Sequence, residues 1–152
     1  MMTDEIVNQL KYKNDIRKAI AIGATSPKQL FEPNDLLSYR FAFNTEHENN
    51  HVPVYLQNPE RAIQEKAMNK LCCNGFALSC FDTESNAQET FFKFSRSSKN
   101  FSRTAGNCLC HGILGNSDGL KTETNSSSGH FGFYEFEECD LNLTFDILKQ
   151  LI

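Results

Sequence analysis

Tryptophan is absent from this chain, and no stretch approaches the roughly 18 apolar residues that a bilayer-crossing helix needs. A membrane span is therefore not expected. Excess positive charge is missing too. With a formal net charge of −4, the chain lacks the footprint of a protein held by phosphate backbones, which argues against nucleic acid as a partner. Its longest basic cluster, Lys93, Arg96, Lys99 and Arg103, reads as a solvated helix face. The opening residues Met1 to Glu5 turn acidic at once and carry no apolar core of a secretory signal, so a cytoplasmic location is expected.

What the chain does have is phenylalanine, 13 residues of it. These rings supply apolar bulk with no polar atom that needs a partner. Its six cysteines would suggest a disulfide framework in a small secreted protein. In a chain of this length and expected compartment they read as buried free thiols acting as small hydrophobes.

Helix signals open the chain. Thr3, Asp4 and Glu5 form a capped start with Ile6, Val7 and Leu10 on one face, and after a stutter at 11–15 the pattern resumes through Ile16 and Ile20. Ser26-Pro27 reads as a second, short helical start. Leu36 to Phe43 alternates as a half-buried strand with Leu37, Tyr39, Phe41 and Phe43 inward. A polar loop follows at 44–50, and His51 to Leu56 is at most an edge strand because of Pro53. Asn58 and Pro59 begin the clearest helix, striped by Ile63, Ala67 and Leu71 and ended by Asn74-Gly75. Phe76 to Phe81 is a strand. Asp82-Thr83 starts a helix with Ala87, Phe91 and Phe94 on its stripe and Phe92 off it. Cys108 to Leu114 and His130 to Glu137 are further strands, separated by a glycine-punctuated loop. Leu141 to Ile152 reads as a short strand or turn, then an apolar helix. The order favours an α+β fold: a single domain over 1–152, with a mixed or antiparallel sheet of about four to five strands and N-terminal, central and C-terminal helices on it.

Two motif look-alikes fail on physical grounds. Gly115 to Thr122 has glycines and a Lys-Thr pair but the wrong spacing for a phosphate-binding loop, and no helix signal follows. Cys108-Leu109-Cys110-His111 puts its histidine on the opposite strand face from its cysteines, so no metal site is expected there. His111 and His130 flank the loop and read as hydrogen-bonded loop residues.

One constellation is less ordinary. Arg40, Ser79 and the Glu135/Glu137 pair sit on three predicted strands, and two carboxylates on an otherwise apolar strand need an explanation. An Arg strand, a Ser strand and a late Glu-x-Glu strand, in that order, resembles the layout of NAD-dependent ADP-ribosyltransferases. The resemblance implies that Arg40 holds a phosphate or ribose, Ser79 braces the site, and a glutamate stabilises the oxocarbenium-like centre as nicotinamide leaves. The plainer reading of these residues is a salt-bridged strand surface.

Two functions follow. With no cofactor loop and no metal knuckle, the first is a protein-binding or regulatory domain that docks a partner or a second copy through Phe92 and the apolar run Phe145 to Ile152, with no cofactor. The alternative is a small NAD-using enzyme with Arg40, Ser79, Glu135 and Glu137 lining a cleft closed by 115–129.

Overall fold

The computed structural model describes residues 2–44 and 47–152. Met1 and positions 45 and 46 of the expected polar loop lie outside the described residues. Local signals place the first helices. The Thr3 hydroxyl accepts the Ile6 N–H at 3.3 Å and caps α1 (Asp4–Gln9), whose first turn is acidic. The stutter after it is a break: Leu10 leaves the helix, is buried and bridges to Phe136, and α2 (Lys13–Ala21) restarts with Ile16 and Ala19 inward. Ser26-Pro27 starts no helix. That segment runs irregularly to Phe31, which bridges to Lys121.

Six antiparallel strands form one sheet in the order β4-β5-β2-β1-β3-β6. They are β1 (Leu36–Ala42), β2 (Leu78–Phe81), β3 (Cys108–Leu114), β4 (Gly119–Lys121), β5 (His130–Glu135) and β6 (Asp146–Gln150). The count exceeds the expectation because β4 is three residues of the supposed loop and β6 replaces the expected C-terminal helix. The apolar run there satisfies its backbone on the free edge of β3, with His111 opposite Asp146 and Cys108 opposite Gln150. Pro53 likewise leads into a helical turn, α3 (Val54–Gln57), instead of an edge strand.

The sheet is split. β1 pairs with β3 along its whole length, but meets β2 at one position, Tyr39 opposite Phe81. One face carries Ala42, Leu78, Cys80, Cys110, Leu114, Phe131 and Phe133, closed over by Cys139, Leu141 and Phe145. The other carries Tyr39, Phe41, Phe81 and Leu109 under α5 (Glu84–Ser97). The Thr83 hydroxyl caps α5 by accepting the Asn86 N–H at 3.1 Å. Its fully buried Phe91 stands edge-on to Phe41 at 5.4 Å, and Phe101 of α6 (Phe101–Ala105) joins them. Burying one such ring contributes about 1.5–3 kcal/mol. The face of β1 expected inward is thus only half-buried, while Ser38, Arg40 and Ala42 are buried outright.

The helix that looked clearest, α4 (Pro59–Ala67), has its proline at the first position but ends at Met68 rather than at Gly75. None of its residues is buried. Ile63 is 68% exposed, and Leu71 is buried only because the chain beyond the helix turns inward. No helix among the described residues is long and apolar enough to cross a membrane.

Candidate functional site

Arg40 sits at the split. Its guanidinium bridges the gap that the missing ladder leaves, with Nη1 donating to the Ser79 carbonyl and Nε donating to His51 Nδ1 at 3.2 Å. Arg40 is 93% hidden, and these two hydrogen bonds bind its charge into the fold. His51 must be neutral to accept that bond. Burial first and the Arg40 charge second push it down to about 3, and its ring stacks on Phe145 at 5.2 Å.

On the opposite sheet face Ser79 meets a residue that the sequence did not single out as its partner. Ser79 pairs with Gly132 across to β5, and Phe81 with His130. Alternation therefore places Ser79 and His130 on one face, and His130 Nε2 lies 3.0 Å from Ser79 Oγ. Burial, helped by Arg40, shifts His130 below the usual imidazole range, so the ring is a neutral base near pH 7. Its position is fixed from behind. Gly129 holds φ at +71°, and a Cβ there would collide with Asp82 Oδ1 and Asn86 Nδ2. The Gly129 carbonyl accepts the Asp82 N–H at 3.0 Å.

The same alternation takes Glu135 elsewhere. It shares a face with Phe131 and Phe133, is 4% exposed, and its Oε2 accepts from Lys11 Nζ at 2.7 Å. Its Oε1 has no hydrogen-bond partner among the described residues. Burial outweighs Lys11, so its carboxyl is held above the usual range. Glu137 does not project beside it. The chain leaves the strand at Phe136, and the Glu137 carboxylate is exposed and paired with Lys13 at 3.0 Å. The structure thus brings Arg40 and Ser79 together, places Glu135 within the field of Arg40 but on another wall, and leaves Glu137 on the surface.

Two clefts share the wall Asn74, Ala77, Leu78 and Ser79. One, of about 570 Å³, is lined further by Lys28, Phe31, Thr122, Glu123 and His130. The other, of about 400 Å³, opens along the split and is lined by Arg40, Arg61, Phe43, Phe94 and Phe101. Asn74 stands between them, its Oδ1 accepting from the Tyr134 hydroxyl. Glu135 lines neither; it faces a separate cleft of about 490 Å³ with Lys11, Tyr12, His51 and Asp140.

The remaining motifs are structural. The Gly115 N–H donates to Asp118 Oδ2 at 2.7 Å, closing a turn instead of presenting itself to phosphate. Cys108 and Cys110 are buried on the Arg40 face while His111 is opposite Tyr39, and burial pushes the Cys110 thiol up to about 12. Among the described residues no cluster of three His, Cys, Asp or Glu could hold a metal ion. No protein-family model matches this chain, and no curated protein or solved structure is significantly similar to it.

Proposed function

We propose that this chain is an NAD-using enzyme of the ADP-ribosyl-transfer type, acting in the two clefts that share a wall at Ser79. The observation that carries the reading is their bipartite form. A dinucleotide is two nucleosides joined by a pyrophosphate, and here two cavities share one wall that carries the polar side chains of Asn74 and Ser79. The half along the split is lined by four phenylalanine rings and two guanidiniums: Arg40, which already donates to His51 and the Ser79 carbonyl, and Arg61, whose Nε donates to Glu65 Oε2 at 3.1 Å. That set suits phosphate charge and a stacked base. The other half offers His130, Ser79 and the carboxylate of Glu123.

In this arrangement Arg40 supplies fixed positive charge at the junction, and the amide of Asn74 is held for hydrogen bonding by Tyr134. As the nicotinamide bond lengthens, the ribose becomes cationic at C1′, and a carboxylate near it lowers the barrier. Glu123, on the wall of this half, takes that role in place of Glu135, which Lys11 already engages on the other side of the sheet.

The test is nicotinamide release from NAD, followed chromatographically with and without protein acceptors. Wild type should release it, Glu123→Gln should be slower by about 100-fold, and Glu137→Gln should match wild type. Wild type that releases none across a range of acceptors overturns the reading.

A second reading, docking of a protein partner or a second copy, is favoured by α4, which leaves Ile63 and Met68 in solvent at 68% and 56% exposure. It would need no cleft.

A further inference from the structure

Ser79 and His130 form a hydroxyl–imidazole pair on the wall of the cleft. Here the hydroxyl stands 3.0 Å from an imidazole nitrogen, the spacing of a nucleophile and its base. Ser79 is exposed on the cleft wall, and its backbone is pinned by Arg40 through the carbonyl. His130 is held from three directions: its backbone N–H donates to Ser128 Oγ at 3.2 Å, its ring packs edge-on to Phe81 at 5.5 Å, and the Gly129 turn admits no side chain. Burial, and after it the Arg40 charge, favour the neutral ring.

We infer that Ser79 is itself an acceptor: with His130 as general base it takes the ADP-ribosyl group and the enzyme modifies its own cleft. This rests on the NAD reading above and extends it to the acceptor. In the step, Ser79 Oγ bonds to C1′ of the nicotinamide ribose and the C1′–N bond breaks. Nicotinamide departs as a neutral molecule with the bonding pair, and the hydroxyl proton passes to His130 Nε2 and then to solvent. The product is an acetal-type O-glycoside. Attachment at Ser79 places the ADP-ribosyl group in the wall common to both clefts, so a second NAD is blocked and the modification limits turnover.

The experiment incubates the protein with NAD, measures intact mass, and maps the modified residue by peptide fragmentation after treatment with neutral hydroxylamine, which cleaves carboxylate esters but leaves serine glycosides. The expected result is one hydroxylamine-resistant ADP-ribosyl group on Ser79. It should be absent from Ser79→Ala and at least tenfold slower to form in His130→Gln, with melting temperatures confirming that both variants are folded. Release of nicotinamide with no adduct on Ser79, or an adduct that persists in Ser79→Ala, overturns this inference and leaves the NAD reading standing. No nicotinamide release at all overturns both.

Discussion

Glu135 shows what a single side chain can and cannot announce. As a carboxylate in an aromatic strand it was conspicuous in the sequence, where it read as a cleft or surface residue, and it is buried. Its partner, Lys11, lies 124 positions away and follows a helix break that reads as a stutter. No local pattern could have named it. Glu137, equally conspicuous, is a surface ion pair worth about 0–1 kcal/mol. The two glutamates should therefore respond oppositely to loss of their lysines. Lys13→Met should cost at most about 1 kcal/mol, whereas Lys11→Met leaves a buried charge uncompensated and should cost about 3–5 kcal/mol at neutral pH. The pH dependence fixes the cause. A carboxyl whose pKa is raised by folding keeps its proton longer in the native state, so the native state is favoured below the unfolded value of about 4.3 and loses that advantage as pH rises through the folded value. Urea midpoints of Lys11→Met should thus lie close to wild type near pH 4 and far below it near pH 7.5. Adding Glu135→Gln to Lys11→Met should recover most of the difference at the higher pH. A Lys11→Met deficit that is the same at both pH values would show the loss to be one of packing alone.

At the scale of elements, the helix starts at Thr3 and Thr83 and the buried stripe of α5 were legible, whereas the start expected at Ser26-Pro27 and the buried face expected of α4 were not. Thr3 and Thr83 cap as read, because a capping hydroxyl needs only its own next three residues. The stripe of α4 repeats correctly yet covers nothing, since periodicity says which residues share a face and not whether a neighbour exists to bury it. The C-terminal run reversed for a related reason. Ile147, Leu148 and Leu151 fit a helical arc, but β3 offered an unpaired edge, and ladder hydrogen bonds decided the outcome. β6 is guarded against further pairing by a register shift opposite Leu109 and Cys110 and by Lys149, which bonds Glu84 at 3.0 Å. Such an edge acts as a cover. Deleting residues 146–152 should accordingly expose the edge of β3 beside its buried cysteines, lowering the melting temperature markedly and producing aggregates in light scattering. A truncated chain that stays folded but becomes a smaller particle would instead make β6 an interface strand.

For the whole molecule, the α+β class follows from element order, which left the sheet mixed or antiparallel; the wholly antiparallel pairing, the strand order and the split do not follow from it. These depend on which strands meet across tens of residues, and the functional consequence lies there. Arg40 and Ser79 were legible as polar residues in apolar strands. Their convergence with His130 and Asn74 required the β2–β5 register and the gap beside β1. A site formed by such a gap belongs to the assembled sheet, so its ligand should stabilise the whole fold. One site at a ligand concentration of about 100 Kd contributes about 2.7 kcal/mol. For a chain of this size each kcal/mol moves the melting temperature by about 2–4 °C, which makes about 5–10 °C in total. Saturating NAD should raise the melting temperature of wild type by that amount. Obstructing either half should remove the shift: Gln29→Trp on the rim of the larger cleft, Thr104→Trp on the rim of the smaller one. Both positions are exposed, so neither substitution should lower the ligand-free melting temperature by more than a degree or two. If Gln29→Trp abolishes the shift and Thr104→Trp leaves it intact, the ligand occupies only the His130 half and is a single nucleoside or smaller. If both variants shift as wild type does, NAD binds outside these two clefts, and the site proposed at Arg40, Ser79 and His130 is wrong.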